Sequence, residues 1–388
     1  MSNLISTYHA SKGFLSQSRT RLVLASLFLV TAVGFSQQAR AQTSGATFAM
    51  TNRAANNQVV AFNRAPDGTL TEETAYSTGG NGIGVDFDTQ GGLTLSADHR
   101  YLYACNPGSD DVTVFAVNGA SLNRIQKVAA GDQPLSITLS GGLAYVLDGS
   151  VAGNGVTGFT VGADGKLTPI PNSFRDLSSP IAVPGEVQFS PDGRNVIVTG
   201  KVGSIIDVFN VRADGRLSKP VQNDSFGPRP FAAAFRNDGR LLVLESGLPD
   251  LNNSAVSSYD LLRPSGNLSV ITGSEKNDQT DACWIVITNN QEYAYTANFV
   301  SGTISSYALG NEGTVSLING AAAFSGLKSQ PTDLAFDTET NYLYNLLRGT
   351  GGVSAYRVEA DGSLTFLGLF GVGGALPVAD GASGLAAY

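Results

Sequence analysis

Short apolar runs alternate with tight-turn residues along most of the chain. The clearest example is a turn between two apolar runs, Phe-Ser-Pro-Asp-Gly-Arg at residues 189–194 and Phe-Arg-Asn-Asp-Gly-Arg at residues 235–240. Looser copies begin at Leu95, Leu139, Ile287 and Phe336. The unit therefore recurs every ~45–50 residues, a period typical of repeat architectures. Short apolar runs joined by Asp-Gly turns predict antiparallel β-hairpins.

Two further elements repeat with the same period. One is a Gly turn that leads to an aliphatic residue, as in Asp214-Gly215-Arg216-Leu217. The other is an aliphatic residue followed three positions later by an aromatic one, at Val59/Phe62, Val112/Phe115, Val156/Phe159, Ile206/Phe209, Val256/Tyr259, Ile304/Tyr307 and Val353/Tyr356. Each of these two elements occurs seven times. This predicts an all-β fold, a seven-bladed β-propeller with four-stranded blades.

The two ends of the repeat region fit one shared blade. Gly384–Tyr388 is typical of an innermost strand without a blade of its own, and Thr47–Asn52 of a second strand without an innermost one. We therefore expect both termini to close the ring, because closure leaves few exposed strand edges. No linker or low-complexity stretch divides residues 42–388, so one domain is predicted there.

Composition agrees with this interpretation. The chain has 388 residues, 46 of them Gly, and only 14% are charged, whereas helical bundles and coiled coils are rich in Glu and Lys. The 42% hydrophobic content can bury a sizeable core, which argues against intrinsic disorder.

Residues 1–41 have the pattern of a secretory signal peptide. Basic residues precede an apolar run over 22–35, and Ala39 and Ala41 offer a cleavage site before Gln42. The apolar run is shorter than the ~20 residues that a membrane span needs. The sequence thus predicts export, to the periplasm or outside the cell, without membrane insertion.

The charge balance limits the partners. Lys and Arg number 24 and Asp and Glu 32, which gives a net charge of -8. Loss of residues 1–41 would remove four bases and no acids, and would leave about −12. Nucleic-acid binding needs a basic surface, so that class is set aside. A small molecule is the expected partner and a monomer the expected state.

Cys105 and Cys283 are the only cysteines of the chain. An exported protein favours a disulfide, but the repeat places Cys105 on the second strand of the second blade and Cys283 on the innermost strand of the sixth. A disulfide needs Cα atoms ~5.5 Å apart. We therefore expect two buried free thiols.

One face of the predicted ring is suited to binding. Asp-Gly turns join first to second strands and third to fourth strands on one face, so the loops into first strands and out of second strands share the other. These loops vary in length and composition, as binding loops do. We expect a small polar ligand at this mouth, with substrate contacts from Asp148, Glu186, Lys201, Asn298 and Arg348.

The stretch from Gly227 to Glu245 carries a family resemblance. It reads Gly227-Pro228-Arg229-Pro230-Phe231, then Phe235-Arg236-Asn237-Asp238-Gly239-Arg240, then Val243-Leu244-Glu245. This resembles the G-P-R-H-x-x-F-x-P-D-G-x-x-x-Y-V-x-x-E stretch of the seven-bladed β-propeller lactonase family. That family includes 6-phosphogluconolactonases of the propeller type and fungal muconate-lactonising enzymes. The resemblance extends over all seven repeats and implies lactone hydrolysis.

The chain departs from the family at the proton carriers. Pro230 stands in place of the family's His, and Pro184-Gly185-Glu186-Val187 stands where the family shows P-H-x-H. The single histidine after residue 41, His99, falls in a turn on the opposite face, so no imidazole base is expected at the mouth. Arg229 and Glu245 do match the motif. The resemblance implies that Arg229 steadies an oxyanion and Glu245 acts as base; an ion pair between them that braces two loops is the structural alternative.

The expected substrate is an unphosphorylated sugar or organic-acid lactone. An acidic chain disfavours a phosphorylated ligand, and 6-phosphogluconolactone is confined to the cytosol. Because the family's histidines are absent, the competing hypothesis is a non-catalytic propeller that binds a glycan, a peptide or a surface partner.

No cofactor and no metal are expected. The sequence lacks a G-x-S-x-G elbow, an H-E-x-x-H pair and a P-loop, and it has no His or Cys cluster for a redox metal. Calcium needs only oxygen ligands. Such ligands near the mouth, considered as an alternative, would be Asn52, Asn106, Asp148, Glu245 and Asn298.

Overall fold

The computed structural model describes residues 45–85, 88–151, 153–378 and 381–388. Residues 1–41 lie outside the described residues, so the signal peptide stays a prediction. Over the described ranges the regular structure consists of strands, with no helix and hence none that could cross a membrane. The all-β prediction is confirmed.

The described residues form 29 strands, numbered here in chain order. The first fourteen are β1 (Gly45–Met50), β2 (Gln58–Arg64), β3 (Leu70–Ser77), β4 (Leu93–Leu95), β5 (Tyr101–Asn106), β6 (Asp111–Asn118), β7 (Ser121–Ala129), β8 (Pro134–Ser140), β9 (Leu143–Asp148), β10 (Gly155–Val161), β11 (Leu167–Pro169), β12 (Arg175–Asp176), β13 (Pro184–Phe189) and β14 (Asn195–Gly200). The others are β15 (Ile205–Asn210), β16 (Val221–Asp224), β17 (Pro230–Phe235), β18 (Leu241–Glu245), β19 (Ala255–Leu262), β20 (Asn267–Lys276), β21 (Ala282–Ile287), β22 (Tyr293–Asn298), β23 (Thr303–Leu309), β24 (Val315–Phe324), β25 (Pro331–Phe336), β26 (Tyr342–Leu347), β27 (Gly352–Val358), β28 (Leu364–Phe370) and β29 (Leu385–Ala387).

The strands form seven antiparallel sheets, one for each predicted blade. We number the blades along the chain: blade 1 is β29-β1-β2-β3, blade 2 β4–β7, blade 3 β8–β12, blade 4 β13–β16, blade 5 β17–β20, blade 6 β21–β24 and blade 7 β25–β28. Blade 3 has five strands instead of four, because short β11 and β12 pair with different parts of β10. The prediction of a seven-bladed propeller is confirmed.

The first strands of the blades line the centre of the ring. They touch in the order β4, β8, β13, β17, β21, β25 and β29, and β29 in turn touches β4. Strand β29 also pairs with β1, where Ala387 lies opposite Thr47 and Leu385 opposite Ala49. Blade 1 therefore takes its innermost strand from one end of the chain and its other strands from the opposite end.

A repeated tyrosine ties neighbouring blades together. It lies on the second strand of its blade and donates a hydrogen bond from its hydroxyl to a glycine carbonyl in the Asp-Gly turn of the next blade. The pairs are Tyr103 with Gly165 (2.8 Å), Tyr145 with Gly215 (2.8 Å), Tyr295 with Gly362 (2.8 Å) and Tyr344 with Gly68 (2.9 Å). The last pair joins blade 7 to blade 1.

The hydrophobic core lies between adjacent blades. Because a blade has a neighbour on each side, both faces of its middle strands are covered, and β14 and β26 are buried at every position. This explains the continuous apolar runs in the sequence, since strict alternation is needed only where one face meets water. Cys105 on β5 and Cys283 on β21 are buried and unpaired, which confirms the predicted free thiols.

The loops into the first strands of blades 3–7 share one backbone design. The residue before each strand has a positive φ: Gln133 (57°), Val183 (47°), Arg229 (56°), Asp281 (59°) and Gln330 (50°). A register shift follows within the first residues of each strand, and such bulges redirect side chains. In blade 4 the bulged residue is Gly185, where a Cβ would lie only 2.0 Å from Phe231 O of blade 5. Glycine therefore allows β13 to approach β17 and places Glu186 at the centre.

Candidate functional site

A short segment crosses the mouth of the ring, the face that carries the loops into first strands and out of second strands. We call residues Asp88–Gln90, which precede β4, the strap. Gln90 N donates to Gly185 O of blade 4 (3.0 Å), and Thr89 Oγ1 donates to Leu135 O of blade 3 (3.0 Å). From blade 6, Trp284 Nε1 donates to Thr89 O (3.2 Å). The strap is thus anchored on three blades besides its own.

Lys201, a predicted binding residue, holds the start of the strap. Its Nζ lies 2.6 Å from Asp88 Oδ2 and donates to Asp88 O at 2.6 Å. The same ammonium lies 4.5 Å from the centre of the Phe231 ring, a favourable cation–π position. Lys201 therefore lies at the mouth, with its charge directed to the strap.

An aromatic row continues from this lysine towards blade 7. The ring centres of Phe231 and Trp284 are 5.2 Å apart, and those of Trp284 and Phe299 are 6.4 Å apart. At the far end, the guanidinium of Arg348 lies 5.4 Å from the centre of the Phe299 ring. Two of the predicted binding residues, Lys201 and Arg348, thus lie at opposite ends of one row of rings.

Glu186 is buried at the centre, below the strap. Its Oε2 accepts a hydrogen bond from Ala233 N of blade 5 (2.7 Å), and its Oε1 accepts one from Gln90 Nε2 (3.2 Å). Burial raises the pKa of Glu186 to about 8, and the nearby carboxyl of Asp333 adds to the rise. Around neutral pH this side chain therefore holds a proton.

The side chain of Gln90 reaches across the centre to blade 6. Its Oε1 accepts a hydrogen bond from Ile285 N (2.9 Å), and its Nε2 donates to Ile285 O (3.2 Å) as well as to Glu186. One carboxamide therefore joins the main chain of β21 to the carboxyl group of β13.

A small cavity lies beside the strap, between blades 3 and 4. Its volume is about 160 Å³. It is lined by Ile83, Asp88, Gln133, Leu135, Gly149, Val183, Pro184 and Lys201. The cavity is large enough for a small molecule, and Asp88 of the strap forms part of the cavity wall.

Three other predicted site residues lie inside their blades. Each is the last residue of a second strand, and each hydrogen-bonds a hydroxyl on the third strand of the same blade. The pairs are Asp148 with Thr157 (2.9 Å), Glu245 with Ser257 (2.5 Å) and Asn298 with Ser305 (2.9 Å). The repeat thus uses this position to hold second and third strands together. The sequence predicts these residues at the mouth because each ends a second strand, but it does not show the direction of their side chains.

Glu245, the predicted base, has both carboxylate oxygens occupied. Its Oε1 accepts hydrogen bonds from Gly227 N (2.9 Å) and from Ser257 Oγ, and its Oε2 accepts one from Ser274 Oγ (2.5 Å). The side chain is fully buried. This arrangement fits a brace within blade 5 rather than a base that activates water.

Arg229, the predicted oxyanion partner, belongs to a different contact. Its Nε donates to Ser246 Oγ (3.2 Å), and its backbone N donates to Ser204 Oγ (3.2 Å). Since the carboxylate of Glu245 is taken by Gly227, Ser257 and Ser274, the two motif residues serve separate contacts.

Asp148 is a buried acid whose side-chain Oδ1 has no hydrogen-bond partner among the described residues. Burial raises its pKa to about 8, and the carboxylates of Asp132 and Asp110 add to the rise. These acids do not make a metal site: no group of three or more His, Cys, Asp or Glu side chains in the described ranges is arranged to hold a metal ion.

His99 lies away from the mouth, in the turn between β4 and β5. Its ring stacks on that of Tyr388, with centres 5.0 Å apart.

The strap and Phe231 are not among the site residues that the sequence predicts. The available signal was the length of the segment between β3 and β4, from Thr78 to Gly92, which exceeds a simple turn and carries several glycines.

Comparison with known proteins agrees with this architecture. The family model described as "Lactonase, 7-bladed beta-propeller" matches residues 54–184. The 6-phosphogluconolactonase of Serratia proteamaculans (strain 568) is 23% identical over 280 residues, which cover 68% of this chain and 79% of that protein. The predicted resemblance to the seven-bladed lactonase family is confirmed.

Solved structures show the same fold. A candidate 6-phosphogluconolactonase from Bacteroides uniformis superposes with a TM-score of 0.70 at 16% identity, covering 89% of this chain and 100% of that one. The periplasmic gluconolactonase PpgL of Pseudomonas aeruginosa gives a TM-score of 0.67 at 16% identity, covering 88% of this chain and 98% of that one. At these identities the structures bear on the fold alone.

Proposed function

We propose that this protein hydrolyses a small, uncharged sugar or organic-acid lactone at the mouth of the ring. The observation that carries the proposal is the position of Glu186, a buried carboxyl with a pKa raised to about 8, opposite the Ile285 N–H across the centre. The resemblance to lactonase propellers supports the same reaction.

The reaction requires two things that these groups can supply. Water attacks the acyl carbon, the carbonyl oxygen gains negative charge, and the ring oxygen leaves with a proton. The Ile285 N–H donates to the charged carbonyl oxygen. Protonated Glu186 gives its proton to the ring oxygen and regains one from the attacking water, so the product is the open hydroxy acid. Glu186 thus replaces Glu245 as the proposed proton carrier.

The charged residues around the mouth fit an uncharged substrate. Lys201 is already paired with Asp88 at 2.6 Å, so its charge is not available to a phosphate. The nearby carboxylate of Asp333 would repel an anionic ligand at the centre. Arg348, a predicted substrate contact, and Arg229, predicted as the oxyanion partner, are both half-buried, and we propose both as contacts for the hydroxyl groups of the substrate.

The test is hydrolysis of a panel of sugar and organic-acid lactones, followed by alkali uptake in a pH-stat. We expect Glu186→Gln to lower kcat/KM by about 100-fold or more, the range for loss of a general acid. The wild-type rate should fall as the pH rises through about 8, because Glu186 then loses its proton. The matched control is Glu312→Gln, since the Glu312 side chain is 91% exposed. Equal rates for Glu186→Gln and wild type would contradict the proposal.

Export is a separate proposal, which rests on residues 1–41. A cleaved signal peptide would place the protein in the periplasm or outside the cell. Sequencing the N-terminus of protein from a cell fraction outside the cytoplasm should give Gln42, whereas cytosolic protein that keeps Met1 would contradict export.

The strap supports a second candidate function. Because it occupies the centre of the mouth, the ring could serve as a non-catalytic propeller that binds a glycan, a peptide or a surface partner. Saturable binding to a cell-wall or matrix extract, without lactone turnover above the blank, would favour this function over hydrolysis.

A further inference from the structure

The carboxamide of Gln90 is held as a bound ligand would be. Its oxygen accepts from Ile285 N at 2.9 Å, and its nitrogen donates to Ile285 O and to Glu186 Oε1, both at 3.2 Å. The receiving groups belong to blades 6 and 4, whereas Gln90 arrives from a loop that leads into blade 2. Every polar atom of the carboxamide is thus matched by a group from another part of the ring.

We propose that Ile285 and Glu186 form a binding subsite for the carbonyl group of a small amide or ester, and that the Gln90 carboxamide fills this subsite as an internal ligand. This inference rests on the proposed function and deepens it, because a lactone carbonyl would take the same Ile285 N–H. The strap then has to leave the centre before a substrate can bind.

The chemistry of the subsite selects a neutral planar ligand. The main chain of Ile285 presents one N–H donor and one C=O acceptor side by side, as strand residues do to a partner strand. A primary amide matches both, and a lactone uses the N–H while its ring oxygen faces Glu186. A carboxylate ligand is disfavoured because the nearby carboxylate of Asp333 would repel it.

The strap competes with any external ligand for this place. It is held by the ion pair between Asp88 and Lys201 and by the hydrogen bond from Trp284 to Thr89. Suppose that a ligand binds only when the strap is displaced. Its apparent Kd is then its intrinsic Kd divided by the fraction of molecules in which the strap is displaced, so a small fraction means weak binding. Shortening Gln90 should therefore strengthen the binding of a small carbonyl compound.

The test uses Gln90→Ala and acetamide. The substitution removes four side-chain heavy atoms, Cγ, Cδ, Oε1 and Nε2, and acetamide supplies the same four atoms as a separate molecule. The matched control Gln330→Ala removes the same side chain before β25 in blade 7. Acetone, which has the carbonyl but no N–H, is the control compound. Binding is followed by ligand-detected NMR titration and by the midpoint of thermal unfolding.

We expect Gln90→Ala to bind acetamide saturably and at least ten-fold more tightly than wild type or Gln330→Ala. If Gln90→Ala does not fold alone, acetamide should restore cooperative unfolding where acetone does not. Equal binding by the three proteins, or an unfolded variant that acetamide does not rescue, would each overturn the subsite.

Failure of the two proposals can be told apart. Acetamide binding by Gln90→Ala without hydrolysis of any lactone by wild type supports the subsite and rejects the proposed function. Lactone hydrolysis by wild type without acetamide binding by Gln90→Ala supports the proposed function and rejects the subsite. If both hold, kcat/KM for γ-butyrolactone should rise at least five-fold in Gln90→Ala, because the internal ligand is gone; an unchanged kcat/KM would overturn the competition between strap and substrate.

Discussion

Lys201 Nζ lies 2.6 Å from Asp88 Oδ2, in an ion pair whose two partners differ sharply in exposure. Only 1% of the Lys201 side chain is exposed, against 41% of that of Asp88. The lysine also lies against the Phe231 ring. Its charge is therefore withdrawn from water, and the strap supplies the carboxylate that compensates for it.

Replacing Asp88 should cost more stability than replacing Lys201, because the lysine is the buried partner of the ion pair. Asp88→Asn leaves the buried ammonium without its carboxylate, and we expect the free energy of unfolding to fall by about 1–3 kcal/mol, less than for a fully enclosed pair because Asp88 is partly solvated. Lys201→Met keeps the length of the side chain and removes the buried charge, while the Asp88 carboxylate stays in contact with water. Urea unfolding of both variants checks this, and a larger loss for Lys201→Met would contradict the prediction.

Glu245 is predicted to stabilise blade 5 rather than to take part in turnover. Glu245→Ala leaves Gly227 N, Ser257 and Ser274 without their acceptor, so we expect a loss of about 2–4 kcal/mol in the free energy of unfolding. Lactone turnover per folded molecule should stay unchanged in Glu245→Gln, which keeps the length and one acceptor. If Glu245→Gln lost lactone turnover while its free energy of unfolding stayed unchanged, the prediction would be contradicted and Glu245 would be the base.

The pH dependence of stability should report on Asp148. Its pKa is about 8 in the folded chain and ~3.9 in the unfolded one, so between these values the folded state holds a proton that the unfolded state has lost. The free energy of unfolding therefore decreases as the pH rises from about 4 to about 8.

Asp148→Asn should make this decrease shallower and raise stability at pH 8 by about 1–3 kcal/mol, because an amide needs no proton to stay neutral. The repeat already uses Asn at the matching positions, Asn106 and Asn298. Thermal or urea unfolding at several pH values checks the prediction, and a variant with the wild-type slope would count against it.

The tyrosine between blades 7 and 1 should contribute to the closed ring. Tyr344→Phe removes the hydroxyl that donates to Gly68 O at 2.9 Å and leaves a buried carbonyl without that partner. We expect the free energy of unfolding to fall by about 1–2 kcal/mol. The matched control is Tyr101→Phe, whose hydroxyl donates to Ala163 O at an exposed place, and an equal loss in both variants would contradict the prediction.

The architecture could be read from the sequence because its signals are local. Each blade carries its own copy of the Asp-Gly turn and of the aliphatic–aromatic pair, and hairpin pairing joins strands that are close in sequence. The blade count and the buried free thiols follow from this period alone. The extra strand in blade 3 was not foreseen, since β11 and β12 are only 3 and 2 residues long.

The site depended on information that no local pattern contains. Glu245 and Asn298 end their strands next to the mouth, but their side chains hydrogen-bond Ser257 and Ser305 on the third strand of the same blade. Gln90 meets Glu186 and Ile285 across 96 and 195 residues of chain, and only the closed ring brings such residues together. The repeat in the sequence thus determined the blades and their order. The tertiary structure decided which polar residues brace a blade and which meet at the centre, because side-chain direction and contacts across the ring exist only once all the blades have packed.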